Sequence, residues 1–247
     1  MSRPTVTFNG YDLTAYYVVS DLRNSLLPRA IEATEVPGMD GSIFTSVRLS
    51  SRTITLTLTA KGATPAARQT AARTLAEKLA VSEPKPLSIS IDGGIYYMAV
   101  PISEDDGERY VNATSFEVAF ECPDPVAYGE LKTLTVPAGG SLTFTVGGTY
   151  PAKPTASLSV TPTASNRLWK LALEDGTYLA YTIPGTGTTA RAIAADCAAR
   201  TLKVDNVVNM LAADADWLVL APGSHTLTNQ GNATAGATTV TYRERWL

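Results

Sequence analysis

The sequence predicts a mainly β chain in two parts: an N-terminal β-rich α+β domain with one helix over residues 1–125, and a C-terminal antiparallel β-sandwich over residues 126–247. Three observations carry this prediction. The segment Arg52–Ala60 (RTITLTLTA) alternates strictly, with Ile54, Leu56, Leu58 and Ala60 on one face and threonines on the other, which is the period of a half-buried strand. One segment, opening at Thr64-Pro65, repeats apolar residues at helical spacing. After Cys122-Pro123-Asp124-Pro125 no helical period outlasts two turns, and short Thr/Val/Leu strands recur with turn signals roughly every ten residues, as antiparallel sandwiches do.

Along the first part, Thr5–Phe8 alternates and runs into Asn9-Gly10, a pair that tolerates positive φ and favours a tight turn. Residues 35–41 read EVPGMDG, a Pro-Gly and an Asp-Gly between two strand-like runs, so a hairpin is expected there. The strand Arg52–Ala60 follows. In the helix, Thr64 is the N-cap, Pro65 occupies the first turn, and Ala67, Ala71, Leu75 and Leu79 form a stripe that Arg68, Arg73, Glu77 and Lys78 largely avoid. Pro84 stops the helix, and the narrow alanine-rich stripe suits close packing on a sheet. Leu87–Ile91 and Ile95–Val100 flank Gly93-Gly94, the signal of a two-residue hairpin. Phe116, Val118, Phe120 and Cys122 alternate in a further strand, which ends where two prolines withdraw their ladder donors. The domain boundary is placed at these prolines.

Strands of the second part are expected at Leu131–Val136, Ser141–Val146, Ala156–Val160, Leu168–Leu173, Tyr178–Ile183, Leu202–Val204, Trp217–Leu220, His225–Leu227 and Thr238–Tyr242. The alanine-rich stretch Ala190–Ala199 admits a short helix.

Chemistry is sparse. The single histidine, His225, follows Pro222-Gly223-Ser224 in a turn into a strand; no GxSxG elbow precedes it, and Ser224 as its neighbour points to the opposite side. A surface or turn histidine is the plainer reading. Cys122 and Cys197 are too few for a CxxC pair or a four-ligand zinc site and read as buried thiols. The acidic run Glu104-Asp105-Asp106-Gly107-Glu108 lacks the spacing of an EF-hand loop, and Gly185-Thr186-Gly187 lacks the lysine and helix of a phosphate cradle. Trp169, Trp217 and Trp246 sit among alternating apolar residues and read as core rather than as sugar platforms. No catalytic, cofactor-binding or metal site is expected.

Bulk properties narrow the partners. Residues 1–125 carry 11 Lys+Arg against 15 Asp+Glu, and residues 126–247 carry 9 against 8. Neither part is basic enough for a nucleic-acid footprint. No apolar run approaches the roughly 18 residues of a membrane span, and the start MSRPTVTFNG has neither the basic opening nor the apolar stretch of a secretory signal. Cytoplasmic synthesis is expected, so the two Asn-Ala-Thr triplets at 112–114 and 232–234 read as chance matches to the glycosylation pattern.

Five stretches together resemble the distal tail (Dit) proteins of long, flexible-tailed bacteriophages: Phe8-Asn9-Gly10-Tyr11-Asp12, Val36-Pro37-Gly38-Met39-Asp40-Gly41, Phe120-Glu121-Cys122-Pro123-Asp124-Pro125-Val126-Ala127-Tyr128, Leu220-Ala221-Pro222-Gly223 and Tyr242-Arg243-Glu244-Arg245-Trp246-Leu247. The match lies in their order and spacing over nearly the whole chain. The resemblance implies a homo-hexameric ring of N-terminal domains, with a galectin-like sandwich projecting outward, at the distal end of the tail in the virion. Such a ring joins the tail tube protein to the tail-tip (tail-associated) proteins and leaves a channel for the tape measure protein and then DNA. The family usually places a polar residue, often asparagine, where His225 stands.

EVPGMDG therefore has two readings, a solvated hairpin turn or a contact in which Pro37, Gly38, Met39, Asp40 and Gly41 reach a neighbouring subunit or ring, with Met39 as the adaptable apolar group. For the whole chain, the rival to a structural hub is a carbohydrate-binding sandwich that touches a cell-surface polymer.

Overall fold

A computed structural model describes residues 4–26, 28–62, 64–102, 108–109, 114–162, 167–185, 187, 189–231 and 236–247. The chain is mainly β with one α-helix among the described residues, and its strand pairs are antiparallel. It forms two compact units: one ends at Tyr128 and takes in Leu247, and the other is Gly129–Trp246.

The first unit contains β1 (Val6–Phe8), β2 (Tyr11–Asp12), β3 (Tyr17–Asn24), β4 (Arg29–Glu35), β5 (Ser42–Leu49), β6 (Arg52–Ala60), α1 (Pro65–Leu79), β7 (Lys85–Ile89), β8 (Tyr96–Ile102), β9 (Glu108–Arg109) and β10 (Thr114–Cys122). One sheet runs β2-β1-β7-β8 and another β8-β10-β6-β3, so β8 belongs to both: Tyr96–Ala99 pairs with β7, and Val100–Ile102 with β10. Alternation fixes the inner faces. Ile54, Leu56 and Leu58 lie opposite Phe120, Val118 and Phe116, and the Phe8 and Phe120 rings meet at 5.1 Å between centroids. Asn9 and Gly10 both take positive φ and close the β1–β2 turn.

The inner face also holds a cation. Arg52 is 2% exposed; its Nη1 donates to Asn24 Oδ1 at 3.0 Å and its guanidinium lies over the Tyr97 ring at 5.3 Å. Arginine suits such a place because its delocalised charge stacks on aromatic faces and is weakly hydrated.

Helix α1 starts as its sequence dictates: Thr64 Oγ1 accepts from the Ala67 N–H at 3.2 Å, and Pro65 lies in the first turn. Its buried face departs from the expected stripe. Arg68, Ala71 and Leu75 are buried whereas Ala67 is exposed; Arg68 turns inward because its Nη1 donates to the Gly62 carbonyl at 2.9 Å. The Gly93-Gly94 connection is also wider than a two-residue hairpin. Ser88 is the last residue of β7 paired with β8, opposite Tyr96, and a 3-10 turn, Ser90–Asp92, intervenes.

The chain enters the second unit along β11 (Ala127–Val136) and continues with β12 (Ser141–Val146), β13 (Thr155–Val160), β14 (Arg167–Leu173), β15 (Tyr178–Ile183), β16 (Arg191–Asp196), β17 (Thr201–Val204), β18 (Val207–Asn209), β19 (Gly223–Asn229) and β20 (Thr238–Trp246). Its two sheets run β18-β17-β16-β13-β20-β11 and β12-β19-β14-β15. The alanine-rich stretch is strand β16, not a helix: Ile193 and Ala195 face the core and its register with β13 is unbroken from Arg191 to Asp196. Trp217–Leu220 is not a strand either, for only Leu220 bridges, to Ala152.

The sandwich core surrounds Trp169, which is fully buried. Its indole Nε1 donates to Thr238 Oγ1 at 3.1 Å, and Asn229 Nδ2 donates to the same oxygen at 3.2 Å. Trp169 and Asn229 lie in one sheet and Thr238 in the other, so a buried polar knot ties the layers. Trp217 is half-buried against this core. Trp246 is half-buried against Gly129, where a Cβ would stand 2.7 Å from the indole. Both cysteines are buried, and desolvation pushes each thiol up to about 12, which keeps them protonated and unreactive.

Replacing Thr238 with valine keeps the shape but strips two buried donors of their acceptor. The sandwich is expected to lose about 1–3 kcal/mol of unfolding free energy, read as a lower urea midpoint of the tryptophan-reported transition. An unchanged midpoint would remove the knot from the account of sandwich stability.

Candidate functional site

Strands β4 and β5 form a two-stranded sheet of their own. Register runs from Arg29↔Leu49 to Glu35↔Ser42, with one bulge at Thr45 between Ser46 and Phe44. Directly opposed residues share a face, so the pairs Ile31↔Val47 and Ala33↔Phe44 put four apolar residues on one side. Glu32, Ser46 and Arg48 lie on the other, where Glu32 accepts from Ser46 Oγ at 3.0 Å and pairs with Arg48 at 3.5 Å. Ile31 is 68% exposed, Phe44 61% and Val47 47%. The apolar side is bare.

At the tip, the Met39 N–H donates to the Val36 carbonyl at 3.1 Å, with Pro37 and Gly38 between them. Gly38 has φ +84. Proline at the second position and a positive-φ glycine at the third define a type II turn. Gly41, with φ +85, leads into β5. Pro37, Gly38, Met39, Asp40 and Gly41 thus sit together, all exposed, and Met39 is 52% exposed.

An isolated two-stranded hairpin is at best marginally stable in water. Each large apolar side chain left in solvent forgoes about 1.5–3 kcal/mol of burial. Contiguous exposed apolar surface on a folded unit marks a contact. The site is therefore an arm, tip and blade together, and the blade residues Ile31, Phe44 and Val47 are absent from a reading that stops at the turn. Their signal is weak in sequence because the bulge breaks period two: Phe44 and Val47 are three residues apart yet face the same side.

His225 lies in β19, and its side chain is 11% exposed rather than on the surface. Nδ1 is 2.6 Å from Glu174 Oε1 and Nε2 is 2.7 Å from the Ala221 carbonyl oxygen. Both partners are acceptors, so each contact is a hydrogen bond donated by a ring nitrogen that carries a proton. Glu174 Oε2 also accepts from the Thr226 N–H at 2.7 Å. This is a clamp between a strand and a turn. Both ring nitrogens are engaged with Glu174 and Ala221, and Ser224 faces the other way.

Among the described residues no three His, Cys, Asp or Glu side chains cluster to hold a metal, and no helix is long and apolar enough to cross a membrane. Most of the acidic run at 104–108, Thr186 of Gly185-Thr186-Gly187 and both Asn-Ala-Thr triplets except Thr114 lie outside the described residues.

Two family models match the chain: a phage tail protein RIFT-related domain over residues 11–122 and the C-terminal domain of a siphovirus-type tail component over residues 147–246. The fold is similar to that of SPP1 Dit (gp 19.1), described as a paradigm of the hub adsorption apparatus in phages infecting Gram-positive hosts. The TM-score is 0.74, with 19% identity over 100% of both chains. A chain of the phage p2 baseplate in its activated, strontium-bound conformation is similar at TM-score 0.50, with 9% identity over 97% of each chain. No curated protein matches.

The clamp gives the sandwich an acid limb. Burial works against the Glu174 carboxylate, but the Thr226 N–H, its own backbone N–H and the His225 ring together hold its pKa below the usual glutamate value. A carboxyl depressed in the folded state stabilises it above the unfolded value of about 4.3, and that stability is lost as pH falls through the folded value. Glu174→Gln is expected to flatten the fall in sandwich stability below about pH 4.3, followed by thermal melts across pH. An acid slope identical to the parent chain's would dismiss the clamp.

Proposed function

The chain belongs to the siphophage distal tail protein (Dit) family, and we propose that it is the structural hub of a phage tail tip, six copies of which close into a ring. The single observation that carries this is the uncovered arm. A cyclic ring needs a heterologous contact, in which one surface of a subunit fits a different surface of the next. A projecting ribbon with one bare apolar side is such a surface, and the tip residues Pro37–Gly41 extend its reach. Permanent interfaces of this kind bury on the order of 2,000 Å² or more.

In this reading the first unit builds the ring and the sandwich hangs outside it. The ring joins the tail tube to the tail-tip proteins at the distal end of the tail, after assembly in the host cytoplasm. Its bore passes the tape measure protein and DNA. The face of β3, β6 and β10 turned away from the core suits the bore wall: Thr53, Thr55, Thr57 and Thr59 alternate outward on β6, with Asp21, Glu117 and Glu121 opposite them on neighbouring strands. Its exposed arginine, Arg23, is paired with Asp21 at 3.0 Å. Such a wall repels phosphate. The hub needs no chemistry of its own, which accords with the clamped histidine. The carbohydrate-binding alternative gains nothing from the tryptophans, since none of the three is exposed.

Purified protein at high concentration is expected to show six-fold rings with a central hole by negative-stain microscopy. The double variant Phe44→Ser, Val47→Ser is expected to remain monomeric with an unchanged near-ultraviolet spectrum. Gold label on intact particles is expected at the tail end, and label elsewhere would refute the assignment.

A further inference from the structure

Resting on the ring reading, we propose that the acceptor for the arm is the groove between α1 and β10 of a second copy of this chain. The groove lies in the first unit and measures about 320 Å³, lined on the helix side by Ala72, Ala76 and Leu79 and on the sheet side by Phe116, Glu117 and Val118. Ala76 is exposed and Leu79 half-buried, so apolar helix surface stands open beside an apolar strand. The alanines have a structural consequence: a methyl group at the helix surface lets another backbone approach closely, as a two-stranded ribbon must. Glu117 is the only charged residue of the lining.

Size and charge select the occupant. A cavity of roughly 150 Å³ holds a benzene ring, so about twice that volume receives the Phe44 ring with an aliphatic neighbour such as Ile31 or Val47. The middle of the arm's apolar side carries no charge: Arg29 and Glu35 stand at its two ends, and Glu32 and Arg48 pair on the opposite side. At the groove's margin Arg73 is exposed on the helix and, among the described residues, has no ion-pair partner. Glu35 and Asp40, beside the arm's tip, are likewise exposed and have none. Basic margin and acidic arm end attract each other. Arm and groove are different patches of one unit, so every copy donates one arm and receives one, the heterologous pattern that closes on itself.

The test fills the groove. Ala76→Trp places an indole on an exposed helix position, where the fold tolerates it. The concentration for half-assembly, read by light scattering, is expected to rise at least tenfold while the near-ultraviolet spectrum and melting temperature hold. A complementary measurement mixes the single variants Phe44→Cys and Ala76→Cys under mild oxidation with diamide; the native thiols are buried. Disulfide-linked dimers are expected in the mixture and absent from Ala76→Cys alone. Rings that survive Ala76→Trp, or parent-like rings in which Ala76→Cys stays open to maleimide and unlinked, overturn the groove and leave the ring reading standing. A parent chain that stays monomeric at every concentration overturns both.

Discussion

A two-stranded ribbon in water has no way to shelter an apolar side, and this constraint shapes the reading of the first unit. The unit's two sheets close on Phe8, Ile54, Leu56, Leu58 and Phe120 without any help from β4 and β5. The ribbon is thus dispensable to the unit's own core, yet it exposes Ile31, Phe44, Val47 and Met39. Surface of this kind is retained only where something else covers it, since exposed strand edges otherwise invite indiscriminate pairing. The bulge at Thr45 serves that management as well, because it raises the local twist and re-aims Phe44.

The sandwich is built to the opposite specification. Its largest core residue, Trp169, is enclosed, and its buried polar atoms converge on Thr238. On the outer face of one sheet, cross-strand hydroxyl pairs join Ser141 to Thr228 at 3.0 Å and Thr143 to Thr226 at 2.9 Å. Val207, Val208 and Met210 are exposed at the β18 edge, but that strand has three residues and offers little ladder to a partner. The two units thus differ in what they enclose: the sandwich buries its large apolar core, whereas the arm of the first unit leaves apolar side chains in solvent.

Strict alternation makes β6 and β10 legible from sequence, and a capping threonine with a first-turn proline makes the start of α1 legible. What the sequence conceals has physical causes. The inward turn of Arg68 depends on the Gly62 carbonyl, a local acceptor that no periodicity announces. Strand β16 is alanine-rich, and its partners β13 and β17, not its own propensity, make it a strand. The arm's tip is readable because Pro37-Gly38 fixes two successive φ values, whereas its blade is hidden by one inserted residue. His225 reads as a turn residue until Glu174, 51 positions away, and Ala221 enclose it.

Six-fold repetition sharpens the demand on the bore. In the proposed ring, any side chain facing the axis occurs six times at one level. A single lysine there becomes six phosphate contacts, and counterion release from a set that size gives an affinity that falls by several orders of magnitude over an ordinary salt range. A conduit for DNA with such a belt would hold its cargo. Carboxylates multiply in the same way but with the opposite sign, and the screening length of about 8 Å at physiological salt confines their repulsion to the wall itself. Threonines stand between them, and the Thr59 hydroxyl is already engaged across strands with Ser115 at 3.1 Å. In the proposed ring, a face of threonine and carboxylate would keep a polyanion centred without gripping it, whereas the apolar arm would do the gripping between subunits.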